Sequence, residues 1–303
     1  MKKLLFIIPL LSVVLLSAQQ TPQYSQYVFN NYGHNPAFGG MQKCFDLKMG
    51  GRFQWVGFDN APRSYFVSFN MPLKFKRYVK GTHAVGAYIS QDQTHIIKHN
   101  YIYLGYTYHL RLAKKKRMAM GVFGGMQDFG VNRMTNDPLL LTQQSAYHYP
   151  DIMPGILFYN KTAFYGLSIQ QVVPLNIKVA GDKNKLKHHY LFMMGKRIHT
   201  GGSWNVFYST LVKANFIAPP AIDLNLNLEY GQTFSFGLGY RVGEAINAQL
   251  KFKVGKIITL GYAFDYPLNY MRNLNIMGHE VMLGFSGCTP YGAEGQDPCP
   301  VYQ

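Results

Sequence analysis

The chain predicts an all-β fold, a transmembrane antiparallel up-and-down β-barrel of about 14 strands. Three observations predict it: long runs of alternating apolar and polar residues, an export signal at the start, and a composition rich in aromatics and poor in charge. Between His99 and Leu112, the side chains of Ile102, Leu104, Tyr106, Tyr108, Leu110 and Leu112 share one face, while Gly105, Thr107, His109 and Arg111 share the other. Successive side chains of a strand point to opposite faces, so period two over this length marks a strand between two unlike solvents. The pattern recurs between turn residues from Phe45 to Ser286.

Residues 1–18 read as a signal peptide: Lys2 and Lys3 are its charged region, Leu4 to Leu16 its apolar core, and Ser17 and Ala18 the small residues before Gln19. No later run approaches the roughly 18 to 20 apolar residues of a membrane helix, so any membrane crossing falls to strands. Residues 19–43 form a periplasmic leader or plug, rich in Tyr and Asn. Two arrangements fit it: Tyr24, Tyr27, Phe29 and Tyr32 fold back to fill the periplasmic mouth, or the segment lies outside the barrel as a strap.

Residues 44–286 form the barrel, with strands expected at 45–55, 64–71, 83–91, 99–112, 118–128, 152–159, 162–172, 188–197, 204–214, 221–230, 234–241, 245–253, 257–266 and 278–286. Strands of about 9 to 11 residues cross an outer membrane at a tilt, and an even number places both termini in the periplasm. Connections 113–117, 160–161, 231–233 and 254–256 are short, whereas 129–151, 173–187 and 267–277 are long. Short periplasmic turns and long outer loops are the barrel rule; 72–82 and 242–244 are its exceptions here. Residues 287–303 form a C-terminal periplasmic tail. A secreted β-sandwich has similar strands, but about 240 residues of uninterrupted strand pattern exceed a usual sandwich core.

Aromatics are 15% of residues, with Tyr 23 and Phe 21, and charged residues are also 15%. Barrels need aromatic girdles and few charges toward lipid. The net charge of +16 would suit nucleic acid, but an exported chain rarely meets it, and no nucleic-acid partner is expected. The basic groups sit in turns: Lys74, Lys76, Arg77 and Lys80 in one, Lys114, Lys115, Lys116 and Arg117 in another. Both are candidates for docking an acidic partner, or for attraction to outer-membrane lipid headgroups.

Projected inward, the alternation gives a lumen network of Arg52 and Gln54, Arg241, Asp265 and Glu280, with Lys48 on the same face. Closure of the barrel makes the first and last strands neighbours, so Arg52 and Gln54 meet Glu280 across the seam. Catalysis finds no support. His279 and Glu280 are adjacent and point to opposite faces, and neither the pair His188-His189 nor Ser168 lies in a hydrolase or metalloprotease motif. Gly121, Gly124 and Gly125 lie within a strand, where glycine marks a bulge or close packing. No catalytic residue, cofactor or metal site is expected. Of the three cysteines, Cys44 and Cys288 flank the seam and are candidates for a disulfide; the competing pairing is Cys288 with Cys299.

Gln23-Tyr24-Ser25-Gln26-Tyr27, then Asn30, then Asn35-Pro36-Ala37-Phe38-Gly39-Gly40, then Arg52-Phe53-Gln54-Trp55-Val56-Gly57-Phe58 and Ala61-Pro62-Arg63 resemble the N-terminal signature of the PorP/SprF family of the Bacteroidetes type IX secretion system. Similar pieces follow at Pro150-Asp151, Gly155 to Tyr159, Gly166-Leu167-Ser168, His189-Tyr190, Gly261 to Tyr266 and Gly278-His279-Glu280. Gly39 and Gly278 depart from the family pattern, which has Ala and Ser there. The resemblance implies an integral outer-membrane barrel, non-enzymatic, serving secretion or gliding motility, and most like the PorP branch. It also implies partners: periplasmic ring proteins, a peptidoglycan-binding OmpA-like lipoprotein and, for some relatives, proteins with a type B C-terminal signal. The alternative is an outer-membrane channel for small solutes, with 129–151 as its constriction loop and the apolar Leu139 to Leu141 within it.

Overall fold

The alternating strands close on one another. The computed structural model describes residues 23–41, 44–73, 81–95, 97–131, 146–173, 176–179, 182–185, 188–215, 218–231, 233–255, 257–269 and 276–287. The strands are β1 (Asp46–Val56), β2 (Arg63–Leu73), β3 (Thr82–Thr94), β4 (Ile97–Ala113), β5 (Lys116–Val131), β6 (Ala146–Tyr159), β7 (Ala163–Gln170), β8 (Asn176–Val179), β9 (Asp182–Lys185), β10 (His189–Gly201), β11 (Trp204–Ala214), β12 (Ala221–Tyr230), β13 (Phe234–Arg241), β14 (Ala245–Val254), β15 (Ile258–Pro267) and β16 (Met277–Ser286). All but β8 and β9 form one closed antiparallel barrel of 14 strands, each paired with its chain neighbours and β1 with β16. The β8–β9 hairpin stands apart from the barrel, within the connection expected to be a plain loop over 173–187.

Two faces result. Leu104 is 73% exposed and Ile102, Leu226, Leu238 and Val281 are likewise exposed, while Thr107, directly after exposed Tyr106, turns to the lumen and is 1% exposed. An apolar exterior around a polar interior is what a lipid-embedded barrel requires. The β4–β5, β6–β7, β10–β11 and β14–β15 strand ends meet closely at one end, which also has the longer β2–β3 connection, and at the other lie the remaining longer connections together with the close β3–β4 and β13–β14 junctions. β5 and β6 extend beyond their expected bounds, to Val131 and from Ala146. The ladder continues there through polar pairs such as Asp128↔His148 and Gln127↔Tyr149, which the apolar alternation does not mark. Residues 132–145, including Leu139 to Leu141, the signal peptide 1–18 and the turn residues 74–80 lie outside the described residues.

The described part of the leader, residues 23–41, lies inside the barrel. A single helical turn, α1 (Asn31–His34), is followed by a 3-10 turn over Pro36–Phe38. Pro36 presets the backbone of that turn, and Asn35 caps it by accepting from the Ala37 amide at 2.9 Å. Tyr24, Tyr27, Tyr32 and Phe38 are fully buried, with Tyr32 edge-on to Phe123 at 4.8 Å and Phe38 edge-on to Phe164 at 5.4 Å. The wall yields to this packing at glycines. A Cβ on Gly121 would collide with the Pro36 backbone, and one on Gly155 with the Asn35 side chain. Gly124, on the lipid face, has open space instead, and Gly125 is set by the close approach of the neighbouring strand at Ile102. None of the three forms a phosphate cradle.

The seam register bears on the cysteines. Asp46 pairs with Ser286, and the Gly287 amide donates to the Phe45 carbonyl at 3.1 Å. Cys44 is disulfide-bonded, which removes the pairing of Cys288 with Cys299; its partner lies outside the described residues. We propose Cys288 as that partner, because it follows directly in sequence on Gly287, whose amide meets Phe45 beside Cys44. Peptide mapping without reduction is expected to recover Cys44 joined to Cys288. Recovery of Cys44 joined to Cys299 would overturn this pairing.

Candidate functional site

The lumen surface where the leader meets β1, β12–β16 carries a cluster of buried charge. Arg52 on β1 donates from Nη1 to Glu280 Oε1 at 2.9 Å, and its Nη2 stands 2.9 Å from Asp265 Oδ2. Arg241, at the end of β13, donates from Nε to Asp223 Oδ1 at 2.8 Å. Each of these groups is nearly inaccessible, Glu280 at 0%. The register explains the meeting: Arg52 is paired directly with Glu280 across the seam, Ala263 with Glu280, and Asp223 with Arg241.

Ser25 is the centre of the arrangement. Its amide donates to Glu280 Oε1 at 2.6 Å and its hydroxyl to Asp265 Oδ1 at 2.5 Å. Its carbonyl accepts from Asn225 at 2.9 Å and from Gln249 at 3.0 Å. The next amide, Gln26, donates to Glu280 Oε2 at 3.1 Å, and the Gln23 carbonyl accepts from Arg52. Charge-assisted hydrogen bonds of this kind are roughly twice as strong as neutral ones. Farther along the leader the wall donates again: Thr107 to the Pro36 carbonyl at 2.7 Å and Ser168 to the His34 carbonyl at 2.6 Å. His109 contacts the Gly39 carbonyl at 2.7 Å.

Four of the five residues expected in the lumen network, Arg52, Arg241, Asp265 and Glu280, are brought into this one region, and the fifth is not. Gln54 lies next to the irregular register between Phe53 and Val56 and is half-buried, with no side-chain hydrogen bond among the described residues. Of the plug candidates, Tyr24, Tyr27 and Tyr32 are buried in the lumen, and Phe29 is half-buried beneath Lys48. The fill extends well beyond the mouth. Gly40, at the short-turn end, donates its amide to Asn70 Oδ1, while Gln23 donates to Asp223, two residues from the opposite end of β12. Lys114, Lys115 and Lys116 are exposed at the tip of the β4–β5 turn and Arg117 is half-buried; Lys74, Lys76, Arg77 and Lys80 lie outside the described residues. His279 faces outward against Tyr262 at 2.8 Å, on the opposite face from Glu280. Sequence reasoning missed Ser25, Asp223, Asn225 and Gln249. The alternation of Asp223, Asn225 and Asn227 with Leu224, Leu226 and Leu228 carried a signal for the wall residues; Ser25 stood only within the family-like segment Gln23 to Tyr27, which gave it no partner.

A family model described as type IX secretion system membrane protein PorP/SprF matches residues 16–285. The chain belongs to the PorP/SprF family. Among solved structures it is similar to the toluene transporter TbuX of Ralstonia pickettii, at 9% identity and TM-score 0.51, over 85% of this chain and 92% of that one. It is similar also to the toluene transporter TodX of Pseudomonas putida, at 9% identity and TM-score 0.50, over 83% and 91%. At such identity the likeness is one of fold, the outer-membrane β-barrel. Among curated proteins there is no match.

The segments that carry the PorP/SprF resemblance supply the contacts between plug and wall. Ser25 and Gln26 from the first segment meet Asp265 and Glu280 from the last two. Asn35 donates to the Ile156 and Leu167 carbonyls at 3.1 Å. Replacing Glu280 by Ala leaves the Ser25 and Gln26 amides without their acceptor and takes one of two carboxylates from Arg52. Breaking one side of a buried pair costs about 3 to 5 kcal/mol. Glu280→Ala is therefore expected to lower the temperature at which the folded band is lost on unheated gels, with Glu280→Gln, which keeps one acceptor oxygen, falling between it and the parent. An unchanged transition in Glu280→Ala would show the cluster to be energetically idle.

Proposed function

We propose that this member of the PorP/SprF family is a non-enzymatic, plugged barrel that serves the secretion and gliding machinery as an outer-membrane anchor for periplasmic and surface partners. One observation carries the reading: the lumen is occupied by the protein's own leader, held from Gln23 to Gly40 by hydrogen bonds to the wall on several strands. A small-solute channel needs that space. The residues that would hold a solute in an open pore, Arg52, Asp265 and Glu280, are spent on the leader.

The short-turn end is assigned to the periplasm by the barrel rule. The tail after Gly287 then departs on the periplasmic side, whereas Gln23 stands toward the outer end, which argues against the expected periplasmic position for the N-terminal end of the leader. The exposed basic turn at Lys114, Lys115 and Lys116 projects to the periplasm. The periplasmic ring proteins and the OmpA-like lipoprotein implied by the family resemblance are the partners proposed for that side, and proteins with a type B C-terminal signal for the outer side.

Single-channel recording separates anchor from channel. The full-length barrel in a planar bilayer is expected to show no steady conductance, and deletion of residues 19–40 to open one; a stable pore in the full-length protein would favour the solute channel. Docking is tested by reversing charge at Lys114, Lys115 and Lys116, which is expected to deplete periplasmic proteins recovered with the barrel from cross-linked cells while the barrel stays in the membrane. Equal recovery would reject docking through this turn.

A further inference from the structure

The cations of the barrel strands fall into two sets by the face they take. Inside, Arg52 meets Asp265 and Glu280, Arg241 meets Asp223, and Arg197 meets Glu229. Lys251 reaches Glu229 at 3.7 Å, beside Lys48 and Lys253 in a basic cleft of about 140 Å³ between the plug and the β12–β16 wall. At the end opposite the β4–β5 turn, two cations face outward. Arg63 opens β2 and Lys98 is the second residue of β4; both are exposed, while their neighbours Ser64 and His99 turn to the lumen and bond Asp92 and Gln127 there. Neither Arg63 nor Lys98 has an ion pair or side-chain hydrogen bond among the described residues.

The register sets these two side by side. Arg63 pairs with Gln93 and Gln93 with Lys98, so a single strand separates them. With neighbouring strands about 4.8 Å apart, their Cα atoms lie about 10 Å from each other, a gap that two long side chains close from either side. Elsewhere at this rim the outward side chains are neutral, as at Tyr190, Tyr240 and Tyr266. On the adjoining strand β5, Asp128 is taken by His148 at 2.6 Å. Directly below the cations, Val67, Ile89 and Ile102 pair in one row and are 41%, 50% and 50% exposed, with Tyr65 between them and Arg63.

The height of the pair follows from β4. Its outward residues from Ile102 to Leu112 are Ile102, Leu104, Tyr106, Tyr108, Leu110 and Leu112. That run is about 34 Å of strand, or about 26 Å of height at the usual tilt, which matches the apolar band of about 25 Å on an outer-membrane barrel. Lys98 stands about 10 Å in height above Ile102, where the headgroup layer of about 5 to 8 Å lies within downward reach of its side chain. We propose that Arg63 and Lys98 together hold the phosphate of an anionic membrane lipid, whose acyl chains lie along Val67, Ile89 and Ile102. The planar guanidinium forks onto two phosphate oxygens and the ammonium takes a third. This goes beyond the anchoring role and rests only on the barrel's place in a membrane, so either stands if the other fails.

Native mass spectrometry of the purified full-length barrel in detergent, titrated with phosphatidylglycerol or with phosphatidylcholine, tests it. The barrel is expected to retain phosphatidylglycerol severalfold more than phosphatidylcholine, whose choline cancels the phosphate charge. Arg63→Gln with Lys98→Gln is expected to bring retention of the two lipids level while the folded band on unheated gels persists. Arg63→Lys with Lys98→Arg, which keeps both charges, is expected to retain the preference. Lys251→Gln with Lys253→Gln removes the same charge from the lumen side and is expected to leave the preference intact. An equal loss in the lumen pair would show a response to net charge alone and overturns the proposal. So does an undiminished preference in Arg63→Gln with Lys98→Gln, or displacement of the lipid by an equal concentration of inorganic phosphate, which would give the pair to a free anion.

Discussion

The interior of this barrel depends on a carboxylate with no access to water. Burying an ionised group costs several kcal/mol unless partners replace its hydration. Glu280 has its partners on two sides, the Arg52 guanidinium from the adjoining strand and the amides of Ser25 and Gln26 from the leader. The same acid therefore ties the seam between the first and last strands to the segment that fills the lumen. Remove the leader and Glu280, Asp265 and Asn225 lose partners together; remove Glu280 and the leader loses its firmest attachment to the wall. Plug and closure are one problem solved by one group of residues.

The rest of the lumen follows from the size of the cylinder. A barrel of this many strands encloses more space than its own side chains fill. The leader supplies aromatic volume through Tyr24, Tyr27, Tyr32 and Phe38, and the wall makes room by presenting glycine where the leader backbone comes closest, at Gly121 and Gly155. On the β3–β6 side, Tyr103 donates to Asp151 at 2.8 Å and Gln127 joins them at 2.7 Å, giving a polar network above the plug. Toward β12–β16, charge does the same work with Glu229 and Lys251, joined by Arg197 from β10. The fill is least complete there, and the basic cleft is what remains. Its position beside the end of β16 is a consequence of barrel closure, because the first and last strands must meet at the same end that carries the short turns.

The sequence alone determined the class of fold and the side each strand residue takes. Alternation has a period of two whatever the register, so Leu104 outside and Thr107 inside were legible, as were closure of an even-numbered barrel and the lumen positions of Arg52, Arg241, Asp265 and Glu280. Strand ends were less legible: beyond the lipid band the ladder is held by polar pairs such as Asp128 and His148, which carry no apolar signal. What only the tertiary structure decided is the path of the leader, the role of Ser25 and Gln26 within it, the loss of Gln54 from the network, and the cleft between plug and wall. The reason is that a strand's facing is a local property of the chain. The leader's contacts with the wall join residues from 17 to 255 positions apart, many through backbone amides and carbonyls, groups that every residue carries alike, and nothing in the side-chain pattern says which of them will be used.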